Sequence, residues 1–329
     1  MILRLFDVSQ YIYAGMNKDN KVVQGVEDRG GLIVPREMPA GGLAFLLEEL
    51  EHYKNENTTL VCCIDSPPTF KRELYDKEIP FGGGYKGNRP AKVPAISIQR
   101  KAVYEILKHI GYNTIKVDGY EADDIIASLV KYYKDSYEKI YIHSKDSDLY
   151  YLVDTNVECM PIGYKNLYVG RGDNRSYVRS TGGKHITRSN WSEQVMTGYV
   201  VPWNTLTLNK MAKGESGDNI PPVPKETMNK IFKAIPASLA PSCGDNDFLR
   251  KLIHEITNSD PTTITIMELI MPLIIRYDSV MLYDEDINTD VLDFYMREFG
   301  MRNPISTAPT RNSLGEDILN KYINMYMDN

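Results

Sequence analysis

The sequence predicts an α/β protein built around a mostly parallel, twisted sheet with helices on both faces. Short runs of β-branched and apolar residues recur through the first half of the chain, and acidic residues follow them. Between these runs, apolar residues recur with helical spacing. At 329 residues the chain is long enough for two domains, or for one large domain with an appendage.

Acidic residues lie at the ends of three predicted strands. The first strand ends at Asp7, the second ends at Asp65, and the third precedes Asp146 and Asp148. The carboxyl ends of parallel strands meet at one edge of a sheet, which is where such sheets bind ligands. A single strand-end aspartate is typical of a turn or a helix N-cap. Several acidic junctions together favour a ligand site.

A further acidic group opens a predicted helix at residues 119–130. Glu121, Asp123 and Asp124 fall in its first turn, directly before a stripe of apolar residues. The helix dipole favours one or two acids at this position. Three carboxylates repel one another unless a cation lies among them, so a metal site and a plain acidic helix start both remain open.

Other stretches predict the framework. Residues 43–50 and 98–110 predict helices, and residues 19–39 predict a loop or a short hairpin. Residues 264–276 predict a helix, and residues 279–283 predict a short strand or turn. Residues 306–329 form a weakly hydrophobic tail.

The net charge of −6 is unevenly distributed. Residues 70–116 carry a net charge of +6 (ten basic, four acidic) and residues 160–190 carry +5 (six basic, one acidic). Residues 244–329 carry −8 (seven basic, fifteen acidic). Basic segments beside clustered acids are typical of an enzyme that binds phosphates and cations, although solvated surface charge is the alternative.

Residues 66–95 combine flexibility with positive charge. Three consecutive glycines precede Tyr85, Lys86 and Arg89, so this segment can order around a phosphate backbone and stack a base. A mobile basic surface loop is the alternative.

Membrane and metal-thiolate classes are not indicated. The sequence has no signal peptide and no apolar run of transmembrane length, and its four cysteines lack metal-ligand spacing. We therefore expect a cytoplasmic protein with reduced thiols.

The ordered motifs resemble the flap endonuclease and 5′-to-3′ exonuclease family, especially the bacteriophage 5′ nucleases and the 5′-nuclease domain of bacterial DNA polymerase I. They span roughly residues 1–235. The matching motifs are Asp7, Asp65, Phe70-Lys71-Arg72-Glu73-Leu74-Tyr75, Tyr85-Lys86-Gly87-Asn88-Arg89, Glu121-Ala122-Asp123-Asp124, the Asp146 and Asp148 pair, and Gly214-Glu215-Ser216-Gly217-Asp218-Asn219-Ile220-Pro221.

This resemblance implies a PIN-like nuclease core over residues 1–185, with an arch or gateway segment at about 66–110. A helical DNA-binding region with an acidic C-terminal part would follow over 186–329, including a modified helix-two-turn-helix element at about 210–235. The implied activity is two-metal, Mg²⁺- or Mn²⁺-dependent hydrolysis of phosphodiesters at 5′ ends or flaps of DNA and of RNA–DNA hybrids, in replication. The protein would act as a stand-alone, phage-encoded monomer.

The resemblance also assigns roles by position. Lys86 and Arg89 would act on the scissile phosphate. The metal ligands would be Asp7, Asp65, Glu121, Asp123, Asp146, Asp148, Glu215 and Asp218, with Asp124 as an additional ligand or as a group that supports the ligands. The nucleic-acid contacts would be Lys71, Arg72, Tyr85, Lys86, Arg89, Arg100, Lys101, Lys225 and Lys230.

Two departures from the family pattern affect these roles. Residues 221–227 have prolines where the family has a glycine-rich turn, which leaves a K⁺ site open. Glu215 replaces the usual aspartate, and its longer side chain would reach a metal directly or through water.

Other segments and rival functions stay open. Residues 164–183 predict a basic hairpin that either contacts duplex or caps a sheet edge, and Trp191 and Trp203 are expected in the core. The acidic C-terminal region either covers the core or docks a replication partner. The rival functions are an inactive branched-DNA-binding protein of the same fold and a PIN-type endoribonuclease, which usually has a shorter chain without the basic arch.

Overall fold

A computed structural model describes most of the chain. The described residues are 1–15, 22–29, 32–79, 83–90, 93–160, 162, 164–169, 176–181, 187, 205–234, 246–283, 286–299 and 312–327. The predicted core positions of Trp191 and Trp203 lie outside them, as does Cys243, whereas Cys62, Cys63 and Cys159 are buried free thiols.

Nine strands and eleven helices are described, together with three short 3₁₀ turns. The strands are β1 (Ile2–Asp7), β2 (Val22–Arg29), β3 (Leu32–Pro39), β4 (Thr58–Ile64), β5 (Asn113–Lys116), β6 (Lys139–His143), β7 (Val157–Met160), β8 (Tyr164–Val169) and β9 (Ser176–Thr181). The helices are α1 (Val8–Gly15), α2 (Gly41–Tyr53), α3 (Thr69–Glu78), α4 (Pro94–Ile110), α5 (Ala122–Tyr133), α6 (Thr205–Lys213), α7 (Lys225–Ala234), α8 (Asn246–Thr257), α9 (Pro261–Ile270), α10 (Thr289–Glu298) and α11 (Ser313–Met327). The 3₁₀ turns are Ser147–Leu152, Ser216–Asp218 and Tyr277–Ser279.

The central sheet has five strands in the order β5-β4-β1-β6-β7, and every neighbouring pair is parallel. Residues on alternate positions of each strand face opposite sides of the sheet. In β1, Phe6 packs into the layer that contains α1, α2 and α4, whereas Leu3 and Leu5 pack beneath α5. The predicted α/β class with helices on both faces is therefore confirmed.

A third apolar cluster lies outside the two sheet layers. It joins α3 to the helices α6, α7, α8 and α9, with Tyr75, Met211 and Ile231 among its fully buried members. Because α3 belongs to this cluster, the helical region that follows the sheet packs against the segment that the sequence assigns to the arch.

The structure corrects four boundaries. Residues 22–39, predicted as a loop or a short hairpin, form a long hairpin of two eight-residue antiparallel strands. Helix α4 begins at Pro94, since proline suits the first helical turn. Helix α9 ends at Ile270, because Pro272 disfavours helical backbone in the residue before it.

The fourth correction concerns the C-terminal tail, most of which is helix α11. Ile318, Leu319, Tyr322 and Ile323 recur with helical spacing, and all four are buried in the sheet layer that contains α4. The predicted hairpin at 164–183 is confirmed by the antiparallel pairing of β8 with β9, and residues 170–175 between them lie outside the described part.

Residues 271–283 run as a strap along α5. The backbone N–H of Ile275 donates to Ser128 Oγ at 2.8 Å, and the Tyr132 hydroxyl donates to the carbonyl of Ile275 at 2.8 Å. The predicted strand or turn at 279–283 is instead irregular chain after a short 3₁₀ turn. Its end is held by Asn113 of β5, which bonds both backbone groups of Tyr283.

Replacing Asn113 is expected to loosen this strap. Asn113 is fully buried, and its amide donates to the carbonyl of Tyr283 at 2.6 Å and accepts from the Tyr283 N–H at 3.2 Å. We expect Asn113→Ala to lower the free energy of unfolding by about 2 kcal/mol in urea titrations. The exposed control Asn320→Ala on α11 should change it by less than about 0.5 kcal/mol. Equal stabilities of the two variants would contradict this role.

Among the described residues, none of the helices combines the length and the apolar character needed to cross a membrane.

Candidate functional site

The acids at the strand ends meet at one edge of the central sheet. Asp7 is the last residue of β1, Asp65 follows β4, and Asp146 follows β6 by three positions. Asp7 lies level with Cys63 of β4, and its neighbour Phe6 lies level with His143 of β6. Because the three strands are parallel and adjacent, their carboxyl ends open on the same side.

Helix α5 begins at this same edge. The backbone N–H of Ala122 donates to Asp65 Oδ1 at 2.9 Å, which fixes the start of the helix to the end of β4. Ser144 links the other two strands, since its hydroxyl donates to Asp7 Oδ2 at 2.8 Å and accepts from the Asp146 N–H at 3.0 Å. The structure thus brings together Asp7, Asp65, Asp123 and Asp146, as the sequence predicts.

Mutual repulsion is visible in the pKa values of two of these acids. Burial and the neighbouring Asp65 raise the pKa of Asp7 to about 7. Burial, Asp146 and Asp7 raise the pKa of Asp123 well above its ordinary value. Each of these carboxylates is buried near others of the same sign, so its charged form is disfavoured.

Glu121 has the opposite electrostatic environment. Burial alone would raise its pKa, but Lys71 and Lys86 lower it to about 2. Lys86 Nζ donates to Glu121 Oε1, and the Tyr85 hydroxyl donates to Oε2 at 2.9 Å. Glu121 is therefore ionised and already paired with basic side chains.

Residues 83–90 are the part of the predicted arch that we call the gateway segment. They lie against residues 214–220, the glycine loop between α6 and α7. Lys86 adopts left-handed backbone with φ of 59°, and its N–H donates to the carbonyl of Asp218 at 2.9 Å. The Lys86 ammonium lies 3.6 Å from Asp218 Oδ2, and the Arg89 guanidinium pairs with Oδ1. Two residues assigned to the scissile phosphate are thus held beside the acids by backbone as well as side-chain contacts.

The second acidic group gathers around Lys210 of α6. Its ammonium pairs with Asp148 and lies 2.8 Å from Glu215 Oε2. Burial and Asp146 raise the pKa of Asp148 despite this lysine. Glu215 therefore contacts the same ammonium group as Asp148, although the family usually has an aspartate at this position.

Asp124 has a structural role in this arrangement. Its Oδ1 accepts from the Leu273 N–H at 2.7 Å and lies 3.2 Å from Lys71 Nζ, while its Oδ2 accepts from the Glu121 N–H at 3.0 Å. Asp124 is fully buried. Both oxygens are thus engaged, and Asp124 ties α5 to α3 and to the strap. Its role as an additional metal ligand or as a group that supports the ligands stays a prediction.

The predicted nucleic-acid contacts divide into accessible and inaccessible residues. Lys71 and Tyr85 are only 5 % and 3 % exposed, because they pair with acids of the site, so their assignment as nucleic-acid contacts stays a prediction. Arg100 donates to Asp65 Oδ2 at 2.6 Å and is held at the site. Five predicted contacts are exposed to solvent, namely Arg72, Arg89, Lys101, Lys225 and Lys230.

Three contributors were not predicted from the sequence. Lys210 bridges two acids, Ser144 connects Asp7 to Asp146, and Ser9 donates to Asp65. Ser144 and Ser9 each follow a predicted strand end by one or two residues, which is the signal that pointed to the neighbouring aspartates. Lys210 carries no comparable signal, because it comes from a helix distant in sequence.

The donor chemistry of the site fits a hard divalent cation. Among the described residues, no basic side chain pairs with Asp7, Asp123 or Asp146, and carboxylate oxygens are the ligands that Mg²⁺ and Mn²⁺ prefer. Within this same part of the chain, no three Asp, Glu, His or Cys side chains converge closely enough to hold an ion as they lie. Binding an ion therefore requires these acids to move from the positions they have here.

The helix pair α6 and α7 occupies the predicted helix-two-turn-helix region. Asn219 supplies the left-handed residue between them, with φ of 63°, and its amide donates to the carbonyl of Gly84 at 3.0 Å. Val223 is buried, and its N–H donates to the carbonyl of Met211 at 2.7 Å. The proline-containing residues 221–224 have no regular secondary structure, and Val223 holds them against α6. A K⁺ site at this connection stays a prediction.

Comparison with known proteins gives consistent results. The family model of the 5′-3′ exonuclease N-terminal resolvase-like domain matches residues 12–178, just over half of the chain. The 5′-3′ exonuclease of Buchnera aphidicola (strain Sg) is 27 % identical over 193 residues, covering 57 % of each chain. The thermostable DNA polymerase I of Thermus aquaticus is 29 % identical over 137 residues, covering 41 % of this chain and 16 % of the polymerase.

The fold has a solved counterpart. The T5 D15 protein, crystallised with metal ions, superposes with a TM-score of 0.50 at 15 % identity, covering all of this chain and 99 % of that one. The alignments span little more than half of the Buchnera protein and a sixth of the polymerase. The match over residues 12–178 contains β4, α5 and β6, which position Asp65, Asp123 and Asp146, whereas β1 with Asp7 precedes it. The chain belongs to the family of the 5′-3′ exonuclease N-terminal resolvase-like domain.

Proposed function

We propose that the chain is a divalent-metal-dependent 5′ nuclease. It would hydrolyse phosphodiesters at the 5′ ends, flaps or nicks of duplex DNA and in RNA–DNA hybrids. The observation that carries this proposal is the group Asp7, Asp123 and Asp146: three acids at one sheet edge, without basic partners among the described residues, two of them with pKa values raised by their neighbours. Such a group gains most from a bound cation.

The acids would divide into two neighbouring ion sites. Asp7, Asp65, Glu121 and Asp123 supply the first, and Asp146, Asp148 and Glu215 or Asp218 supply the second. Divalent ions bound there would lower the pKa of the attacking water and stabilise charge on the leaving oxygen. Asp65 and Glu121 already hold basic side chains, so these would have to shift toward the substrate when ions and DNA enter.

Lys86 and Arg89 would bind the reacting phosphate. Both now pair with Asp218, and Lys86 also pairs with Glu121. A phosphate that enters between the gateway segment and the acids offers them new oxygen partners of the same charge type. They would then neutralise the charge that develops on the phosphoryl oxygens as the P–O bond breaks.

The exposed basic residues would hold the remainder of the nucleic acid. Lys225 and Lys230 project from α7, and Arg72 projects from α3, so the duplex would lie across the α6–α7 pair while the 5′ strand enters beneath the gateway. The match to the polymerase supports a role in replication, such as removal of primer RNA, carried out by a monomer in the cytoplasm. A replication partner at the acidic C-terminal region is compatible with its charge.

Labelled substrates test this function. We expect 5′-labelled flap, nicked and RNA–DNA hybrid duplexes to release short products in Mg²⁺ and none in chelator. The ladder of product lengths would separate exonuclease from flap cleavage. Tight binding of all three substrates without cleavage at any Mg²⁺ or Mn²⁺ concentration would instead identify a non-catalytic DNA-binding protein.

A further inference from the structure

An exposed aromatic ring lies directly beside the acidic edge. Phe70 is the second residue of α3, and 45 % of its surface is exposed. Lys71, the next residue, is buried against Glu121 and Asp124. The first turn of α3 therefore directs one side chain into the acids and the preceding one outward beside them.

The Phe70 ring packs against the Tyr120 ring and the backbone of Gly119. Its centroid lies 4.7 Å from that of Tyr120, with a tilt of 43° between the ring planes. Its other support is the backbone of Gly119, which has φ of 88°; a Cβ atom there would lie 2.5 Å from Phe70 Cε2. Glycine at position 119 thus allows the Phe70 ring to contact the backbone, and a side chain at this position would displace the ring.

The supporting loop is itself fixed to the site. The carbonyl of Tyr120 accepts from the Ser66 N–H at 3.0 Å, next to Asp65. Tyr120 directly precedes Glu121, so the loop under the ring ends at an acid that Lys86 contacts. Two residues of extended chain span at most about 7 Å, so the Cα atom of Gly119 under the ring lies within that distance of the Cα atom of Glu121.

We propose that Phe70 is a stacking platform for a base of the cleaved strand next to the scissile phosphate. This inference rests on the proposed nucleic-acid function and adds a positioning residue to it. An exposed, rigid ring beside a phosphate-binding group loses little entropy when a base covers it, and stacking on an aromatic side chain tolerates any base. Phe70 would thereby fix the register of the strand over the acids.

Binding and cleavage of matched oligonucleotides test the platform. The probes are 5′-flap duplexes, either intact or with one abasic tetrahydrofuran residue at each successive position around the cleavage point. The variants are Phe70→Ala, Phe70→Leu and Phe70→Trp. The control is Tyr277→Ala, because Tyr277 is 47 % exposed and packs on Tyr132 near the opposite end of α5.

Affinity is measured by fluorescence anisotropy in Ca²⁺, and cleavage in Mg²⁺. We expect Phe70→Ala and Phe70→Leu to weaken binding of the intact flap about tenfold, while Phe70→Trp stays within about threefold of wild type. On the probe whose abasic residue replaces the base that stacks on Phe70, wild type and Phe70→Ala should bind with equal affinity. Tyr277→Ala should bind every probe as wild type does.

The outcomes separate this inference from the nuclease function. Unchanged affinity of Phe70→Ala, or an equal loss on every abasic probe, would overturn the platform even if wild type cleaves normally. The expected abasic pattern without cleavage by any variant would support the platform and refute the nuclease.

Discussion

Asp123→Asn is expected to abolish hydrolysis while leaving DNA binding largely intact. Its half-buried carboxylate lies near Asp146, Asp7 and Glu121, and no described side chain donates a hydrogen bond to it. Loss of one ligand removes several kcal/mol of stabilisation of the transition state, so we expect cleavage of a 5′ flap to fall on the order of a thousandfold. Asp146→Asn should behave in the same way.

The matched control is Asp135→Asn, which changes an exposed acid just beyond the C-terminal end of α5. It should cleave at the wild-type rate. Anisotropy of a labelled flap should show all three variants binding within a few-fold of wild type, because the exposed basic residues are unchanged. Wild-type turnover by both Asp123→Asn and Asp146→Asn would contradict the assignment of these acids to a metal centre.

The metal-free protein should lose stability as pH rises from about 4 to about 7. In the folded protein, burial and Asp65 raise the pKa of Asp7 from its ordinary 3.8 to about 7. The folded state therefore holds a proton that the unfolded state releases, and its stabilising effect is complete below pH 4 and lost above pH 7. At about 1.4 kcal/mol for each pKa unit, Asp7 accounts for about 4 kcal/mol.

Urea unfolding in chelator, repeated across this pH range, measures the effect. Asp7→Asn should flatten the decline, because asparagine does not titrate. Glu121 cannot account for the decline. Because its pKa is lowered, its contribution to the stability of the folded protein is lost only as pH falls from about 4.5 toward 2. Saturating Mn²⁺ at pH 8 should restore much of the lost stability, by binding to the folded state. A wild-type curve as flat as that of Asp7→Asn would contradict the raised pKa.

The sequence was sufficient to predict the sheet and the acids at its edge. The strands that end near Asp7 and Asp65 could be recognised locally, because the apolar residues that favour a strand are also the ones it buries. Neighbouring parallel strands then bring their carboxyl ends to one edge of the sheet. Helix α5 followed from its apolar stripe, which tertiary packing preserves. These features depend on residues close to one another in the chain.

The contacts between distant segments could not be predicted. Tyr85 and Lys71 match family motifs in the sequence, but only the packing of the gateway segment and α3 shows that both are buried against Glu121. Asp124 is indistinguishable from Asp123 by pattern, and only the N–H of Leu273 reveals its structural role. Lys210 lies far along the chain from Asp148, so no local sequence pattern predicts their pairing.

Anomalous diffraction from crystals soaked in Mn²⁺ tests most directly whether these acids form one metal centre. We predict a strong anomalous peak within coordination distance of Asp7 and Asp123, and a second near Asp146 and Asp148, with Lys86 moved away from Glu121. No peak at this edge under saturating Mn²⁺, or peaks only at exposed acids elsewhere, would contradict the central claim.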